Sequence, residues 1–267
     1  MDECKARERT VSDLKKIALE VRKDVVRMAG VARLHCGGVS LALVDLLVCL
    51  YWKRMNVSPE DRNWAARDRL VLNDASAVSA LYACLARRGF FDREELWSYR
   101  RLGAMLQGYP DIRTPGVDAP GGANGLGIAC GMCLALKAAK DPRPDVYCII
   151  GQNELSDGAA WESASAAVSL GADKLTLIIN SIHGGMDEYA DRFRSFGWSV
   201  ITANGHDFES MEAAFSASLS ESALRPAVII VRTEPESLGS SEEDKSMSQG
   251  DAEVVISRLD TASIGTL

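Results

Sequence analysis

Residues 146–180 read VYCIIGQNELSDGAAWESASAAVSLGADKLTLIIN, and this stretch decides the fold. Two short apolar runs, VYCIIG and KLTLIIN, bracket an Ala-rich segment of helical character. Neither run alternates apolar with polar, so each is expected to be a strand buried on both faces. Strand, helix, strand of this kind is the unit of a parallel sheet, because parallel neighbours need a long crossover. The rhythm continues downstream. DEYADRFRSFG predicts a helix, WSVITANG a strand, FESMEAAFSASLSES a helix and PAVIIVRT a last strand. Upstream, RDRLVLN predicts a strand leading into the helix ASAVSALYACLARRG, which Gly89 stops. Residues 11–29 carry Leu14, Ile17, Ala18, Val21, Val25 and Met28 at helical spacing, and Leu43, Leu46, Leu47, Leu50 and Tyr51 form the apolar face of a second helix. Asp92, with Glu95 three residues on, has the form of a capping box. The expected class is α/β, three layers with a mostly parallel sheet.

The chain has 267 residues, 47% apolar and 25% charged, which is ordinary for a globular protein and excludes disordered, collagen-like and membrane-bundle chains. Its 30 Lys and Arg against 37 Asp and Glu leave a net charge of −7. An acidic chain without a basic block is a poor partner for nucleic acid or anionic membrane. No apolar run approaches the length of a bilayer span, and the opening MDECKARERT lacks the apolar core of a signal peptide. The seven cysteines are an odd number, several inside apolar stretches, which suits a reduced, cytoplasmic protein. Cys130 and Cys133 form a C-x-x-C, but within a helical pattern and with no matching pair, so packing is the expected role.

Open parallel sheets bind ligands at the carboxyl ends of their strands. That directs attention to the turn from Gly151 to Gly158, which offers Glu154 and Asp157, and to the turn from Asn180 to Gly185, which offers Asn180, Ser181 and His183. Neither has the spacing of a P-loop or a dinucleotide fingerprint. By themselves these turns suggest a site but no chemistry.

The order of segments resembles the N-terminal, diphosphate-binding half of transketolase, a thiamine diphosphate enzyme. RKDVVRM, SLALVDLLVCLYW and RDRLVLNDASAVSALYACLARRGFF resemble its opening. LQGYPDIRTPGVDAPGG and GLGIACGMCLALKAAK resemble its middle, and VYCIIGQNELSDGAAWESASAA, RFRSFGWSVITANGHDFESMEAAF and RPAVIIVRT its end. The resemblance implies the three-layer thiamine-diphosphate-binding fold. It places a diphosphate-binding-type domain over residues 1–233 and leaves a polar tail, expected to be mobile, over 234–267. It also implies that a separate chain supplies the missing C-terminal half, as a homodimer or heterotetramer.

Carried over residue by residue, the resemblance changes at the functional positions. The family's Gly-His-Pro-Gly histidine falls on Cys36 in an ungapped count and on His35 in a gapped one. The histidine of Ser-Lys-Gly-His becomes Ser76, and that of Gln-Gly-His-Pro becomes Tyr109. The Gly-Ser-Leu-Gly-Gln-Gly string that lines the cofactor becomes Gly121, Gly122, Ala123, Asn124, Gly125. The family's Gly-Asp-Gly-Glu, which supplies an Asp to Mg2+, reads Gly151, Gln152, Asn153, Glu154. The second side-chain ligand, an Asn, falls on Ile182, with Asn180 two residues earlier as the substitute. The chain is also about ten residues shorter between Ile182 and Phe196. Thiamine diphosphate and Mg2+ are therefore the cofactors the family implies, while the residues at their positions argue against their being held. Glu154, Leu155, Asp157, Gly158, Trp161 and Glu162 keep a family string from the subunit interface, which makes Glu154 a candidate catalytic residue, and His183, in the cofactor-facing turn with two glycines after it, is the other. His206, in a turn before a helix, is expected to make a structural hydrogen bond, and Trp161 to anchor an interface.

Overall fold

A computed structural model of the chain describes residues 9–34, 41–122, 124–139, 144–182, 186–221, 225–234 and 246–264. Helix α1, Val11–Ala32, starts at a complete capping box: Thr10 Oγ1 accepts the Asp13 N–H at 3.2 Å and Asp13 Oδ2 accepts the Thr10 N–H at 3.0 Å. Helix α2, Val44–Cys49, is buried along its whole length and runs into a π-helical turn, Leu50–Arg54. Strand β1, Arg69–Leu72, precedes α3, Val78–Arg88, which ends at Gly89 as expected. Asp92 does cap a helical segment, but a short 3-10 one, Arg93–Ser98. Its side chain accepts from the Glu94 N–H, so the capping box expected with Glu95 gives way to an Asx-type turn.

The rest alternates strictly: α4 Gly125–Ala138, β2 Val146–Gly151, α5 Gly158–Ser169, β3 Leu175–Ser181, α6 Met186–Phe196, β4 Ser199–Asn204, α7 Phe208–Glu221, β5 Ala227–Arg232 and α8 Gln249–Ile264. The five strands pair in parallel in the order β1-β2-β3-β5-β4. The pleat divides the core in two. Tyr147, Ile149, Ile178, Ile229 and Val231 face α1, α2, α3 and α7. Val146, Cys148, Ile150, Leu177, Ile179 and Ile230 face α4, α5 and α6. This is the three-layer α/β/α arrangement, and both faces of the sheet are covered because the strands are apolar on both.

The tail differs from the sequence expectation over residues 249–264. Helix α8 docks on α1, burying Ala252, Val255 and Ile256 in the main core. Gly30 permits the close approach: a Cβ there would lie 2.7 Å from that of Ala252. Met247 N–H donates to Leu34 O at 3.1 Å, and Arg27 pairs with Glu253. Gly30→Val is expected to lift α8 off, at a cost of about 1–3 kcal/mol. Urea unfolding measures the loss, and limited proteolysis should then cut at residues 246–264, which resist in the wild type.

At the amino end of the sheet, Asp68 accepts the N–H groups of Asn56 and Asp145, both at 2.8 Å. Burial, aided by the nearby Asp145 carboxylate, pushes its carboxyl up to about 6 despite those hydrogen bonds. The folded state therefore holds this proton more tightly than the unfolded chain, and the stability it contributes falls as pH rises from about 4 to about 6. Comparison with Asp68→Asn, which does not titrate, isolates the effect. The stability of wild type relative to the variant should drop by about 3 kcal/mol across that window in urea titrations.

Candidate functional site

The carboxyl ends of β1, β2 and β3 lie side by side, with Leu72 opposite Ile149 and Gly151 opposite Asn180. Past β1, Asp74 is buried and turns back on itself. Its Oδ1 accepts the Ser76 N–H at 3.0 Å and also the Ser76 hydroxyl. Past β2, the chain enters a 3-10 turn, Gln152–Ser156, which swings Glu154 over Gly151. A Cβ at Gly151 would lie 2.6 Å from Glu154 Oε2 and 3.2 Å from Asp74 Oδ2. The two carboxylates converge over Gly151 and stand less than about 6 Å apart. Burial, with the Asp74 and Asp157 carboxylates adding to it, raises the Glu154 carboxyl above its ordinary range. No Lys or Arg among the described residues pairs with Asp74 or Glu154.

Asn180, on the same sheet face as Gly151, is 1% exposed. Its Oδ1 accepts the Thr233 hydroxyl at 2.6 Å, while its Nδ2 is buried without a partner. Gln152 Nε2 reaches Tyr189 Oη on α6 at 3.4 Å. Asn153 is exposed, and Ile182 sits half-buried just past β3. Gly121 and Gly122 form the loop before α4. Gly121 N–H donates to Pro110 O at 2.9 Å, which brings Tyr109 to the same loop. Tyr109 is 59% exposed, and its carbonyl accepts the Tyr82 hydroxyl at 2.9 Å. Ser76 is exposed beside Asp74.

Gly151, Gln152, Glu154 and Asn180 are thus gathered at adjacent strand ends, and Gly121, Gly122 and Tyr109 form a second group on the preceding loop. His183, His35 and Cys36 lie outside the described residues. Asp74 belongs to the string Asn73, Asp74, Ala75, Ser76 that stands at Ser-Lys-Gly-His in the resemblance, while Tyr189 and Thr233 join the site without a sequence motif. The one available signal for Thr233 was position, since it directly follows a strand. His206 makes the expected structural bonds, donating from Nδ1 to Asp45 Oδ2 at 3.1 Å. Trp161 is half-buried and packs against Phe193 and Phe196 of α6. Among the described residues, no group of three or more His, Cys, Asp or Glu could hold a metal ion, and no helix is long and apolar enough to cross a membrane.

A five-stranded parallel sheet between two helical layers, with an acid-lined turn at its carboxyl edge, is an open α/β fold of the class whose ligand sites lie at that edge. The sequence matches the family described as transketolase, thiamine diphosphate binding domain, over residues 15–254, and the chain belongs to that family. It is 33% identical to the 6-deoxy-6-sulfo-D-fructose transketolase subunit SqwG of Clostridium sp. (strain MSTE9), over 74% of this chain and 76% of that one. It is 32% identical to an apulose-4-phosphate transketolase subunit of Phocaeicola vulgatus, over 79% of each. The transketolase structure from Campylobacter jejuni superposes with a TM-score of 0.84 at 27% identity, covering 95% of this chain and 43% of that one. The chain therefore spans less than half the length of that transketolase.

Proposed function

We propose that this chain is the N-terminal subunit of a split transketolase-type assembly whose carboxyl-edge site has exchanged its Mg2+ and diphosphate ligands for residues that do not hold them. The observation that carries this reading is the pair Asp74 and Glu154, which converge on Gly151 with no cation among the described residues to offset them. Two carboxylates at the mouth of the site repel a diphosphate unless a cation offsets them. A divalent cation would offset this, but Ile182 offers hydrocarbon where a hard cation needs oxygen, and Gln152 brings no charge. Gln152 is also engaged by Tyr189, which the short connection after β3 places against it. The residues present do not fit a cation-bound diphosphate.

One further feature supports a split assembly. The relatives named as transketolase subunits are covered over three quarters or more of their length. The partner is a C-terminal-half chain, and the complex is a homodimer of such pairs, a heterotetramer, acting in assembly or regulation. A reducing, cytoplasmic location suits the buried cysteines Cys49, Cys84, Cys130, Cys133 and Cys148, none of which is in a disulfide. Neither nucleic acid nor membrane is a partner on this reading.

The same relatives favour a second reading, in which the chain is the working half of a thiamine-diphosphate-dependent transketolase moving two-carbon ketol units between sugar phosphates. Calorimetry on the chain with its C-terminal partner separates the two. No Mg2+-dependent heat with thiamine diphosphate at micromolar concentration is expected. Micromolar binding together with ketol transfer by the pair would establish the second reading instead.

A further inference from the structure

His206 occupies the turn after β4, where Gly205 N–H donates to Arg232 O at 2.7 Å and draws the turn against the end of β5. Both of its ring nitrogens are used. Nδ1 lies 3.1 Å from Asp45 Oδ2, and Nε2 accepts the backbone N–H of Glu234 at 3.0 Å. A nitrogen that accepts an N–H carries no proton, so the ring is neutral with its proton on Nδ1. Glu234 directly follows Thr233, whose hydroxyl holds Asn180 at the carboxyl edge of the sheet. A line of contacts therefore runs from α1 and α2, through Asp45 and His206, to Glu234, Thr233 and Asn180.

We propose that His206 is a proton-operated latch on the end of β5: neutral, it holds Glu234 and with it the Thr233 clasp on Asn180, and protonated, it releases them. Protonation turns Nε2 from acceptor to donor, so two N–H groups would face each other at 3.0 Å and must part. The remaining contacts do not resist this. Asp45 holds a bidentate pair with Arg22 at 2.7 and 2.8 Å, and its carboxylate can accept from an imidazolium as well as from the neutral ring. Asp45 from α2 contacts the ring directly, Arg22 from α1 pairs with that Asp45, Glu234 past β5 meets the ring through its backbone N–H, and Asp207 follows His206 in the chain. Burial works against the Asp45 charge, but hydrogen bonds from His206 and Arg22 hold its carboxyl below the ordinary range, so it stays ionised while the imidazole titrates. The latch does not depend on cofactor binding and stands whichever reading of the site is right.

Nitrogen-detected NMR of the full chain tests this. Only three histidines need assignment, and His206→Gln identifies the signal. At pH 8 the ring is expected to carry its proton on Nδ1. As the imidazole titrates, hydrogen-exchange protection of the Glu234 amide, corrected for the intrinsic pH dependence, should fall about tenfold. The Asn180 side-chain amide signals should move with the same midpoint. His206→Gln, which keeps an acceptor but does not titrate, should hold Glu234 at every pH. A proton on Nε2 at pH 8, an unchanged Glu234 amide through the titration, or the same transition in His206→Gln would overturn the proposal.

Discussion

A Gln152→Asp, Ile182→Asn double variant is expected to bind thiamine diphosphate in a Mg2+-dependent manner at least about a hundredfold more tightly than the wild type, roughly 3 kcal/mol or more. The expectation follows from ligand chemistry. Mg2+ requires oxygen donors in near-octahedral geometry and is held by carboxylates together with phosphate oxygens. The wild type presents a neutral amide at 152, turned toward Tyr189, and a hydrocarbon at 182. An Asp at 152 adds the charge and an Asn at 182 adds the second oxygen, both on turns already placed at neighbouring strand ends by the pairing of β2 and β3. The cation then offsets the Asp74 and Glu154 charges that otherwise repel the diphosphate. Calorimetry with and without chelator reads the difference. Wild-type binding as tight as the variant's would sink the idea that these two positions closed the site.

Replacing Asp24 by alanine should lower stability by about 3–5 kcal/mol, or about 10 °C in melting temperature. Asp24 sits on α1 with 0% exposure. It pairs with Arg87 at the end of α3 and accepts from Arg93 Nε at 3.0 and 3.1 Å, tying three elements together. Arg87 is itself largely buried, and Glu20, at 3.1 Å, would be its only remaining partner in this cluster. The cost lies in the guanidinium left in the core more than in the lost pair. Restoring an apolar surface with Asp24→Leu and Arg87→Met together should therefore recover much of the loss. A thermal melt of Asp24→Ala within about 3 °C of wild type would show that the network is no more than a solvated surface pair.

Strands β2, β3 and β5 were legible because their burial on both faces leaves a largely apolar run, which needs no knowledge of the partner strand. The helices α1, α3, α5, α6 and α7 were legible for the complementary reason, a one-sided apolar stripe or an Ala-rich run with clear stops. Helix α8 was not. Its Ala252, Val255, Ile256 and Leu259 do follow helical spacing, but Asp251, Glu253, Arg258 and Asp260 make the segment look like solvated tail. Only Gly30 on α1, with no side chain to stand in the way, turns that narrow stripe into a docking face.

At the site, sequence alone brought Gly151, Gln152, Glu154 and Asn180 into one neighbourhood, since turns after neighbouring parallel strands open on the same edge. The family resemblance rested on the same stretch, because the order of strands and helices is written in local hydrophobic periodicity. What the tertiary structure decided was the chemistry of that edge. Strand order set β1 beside β2, and so put Asp74 next to Glu154, 80 residues later in the chain. The short connection after β3 set Tyr189 against Gln152, and the crossover that returns β5 beside β3 set Thr233 on Asn180. Periodicity says which face of an element is buried. Which charges then meet across that face depends on strand order and side-chain direction, and those are settled only when the layers pack.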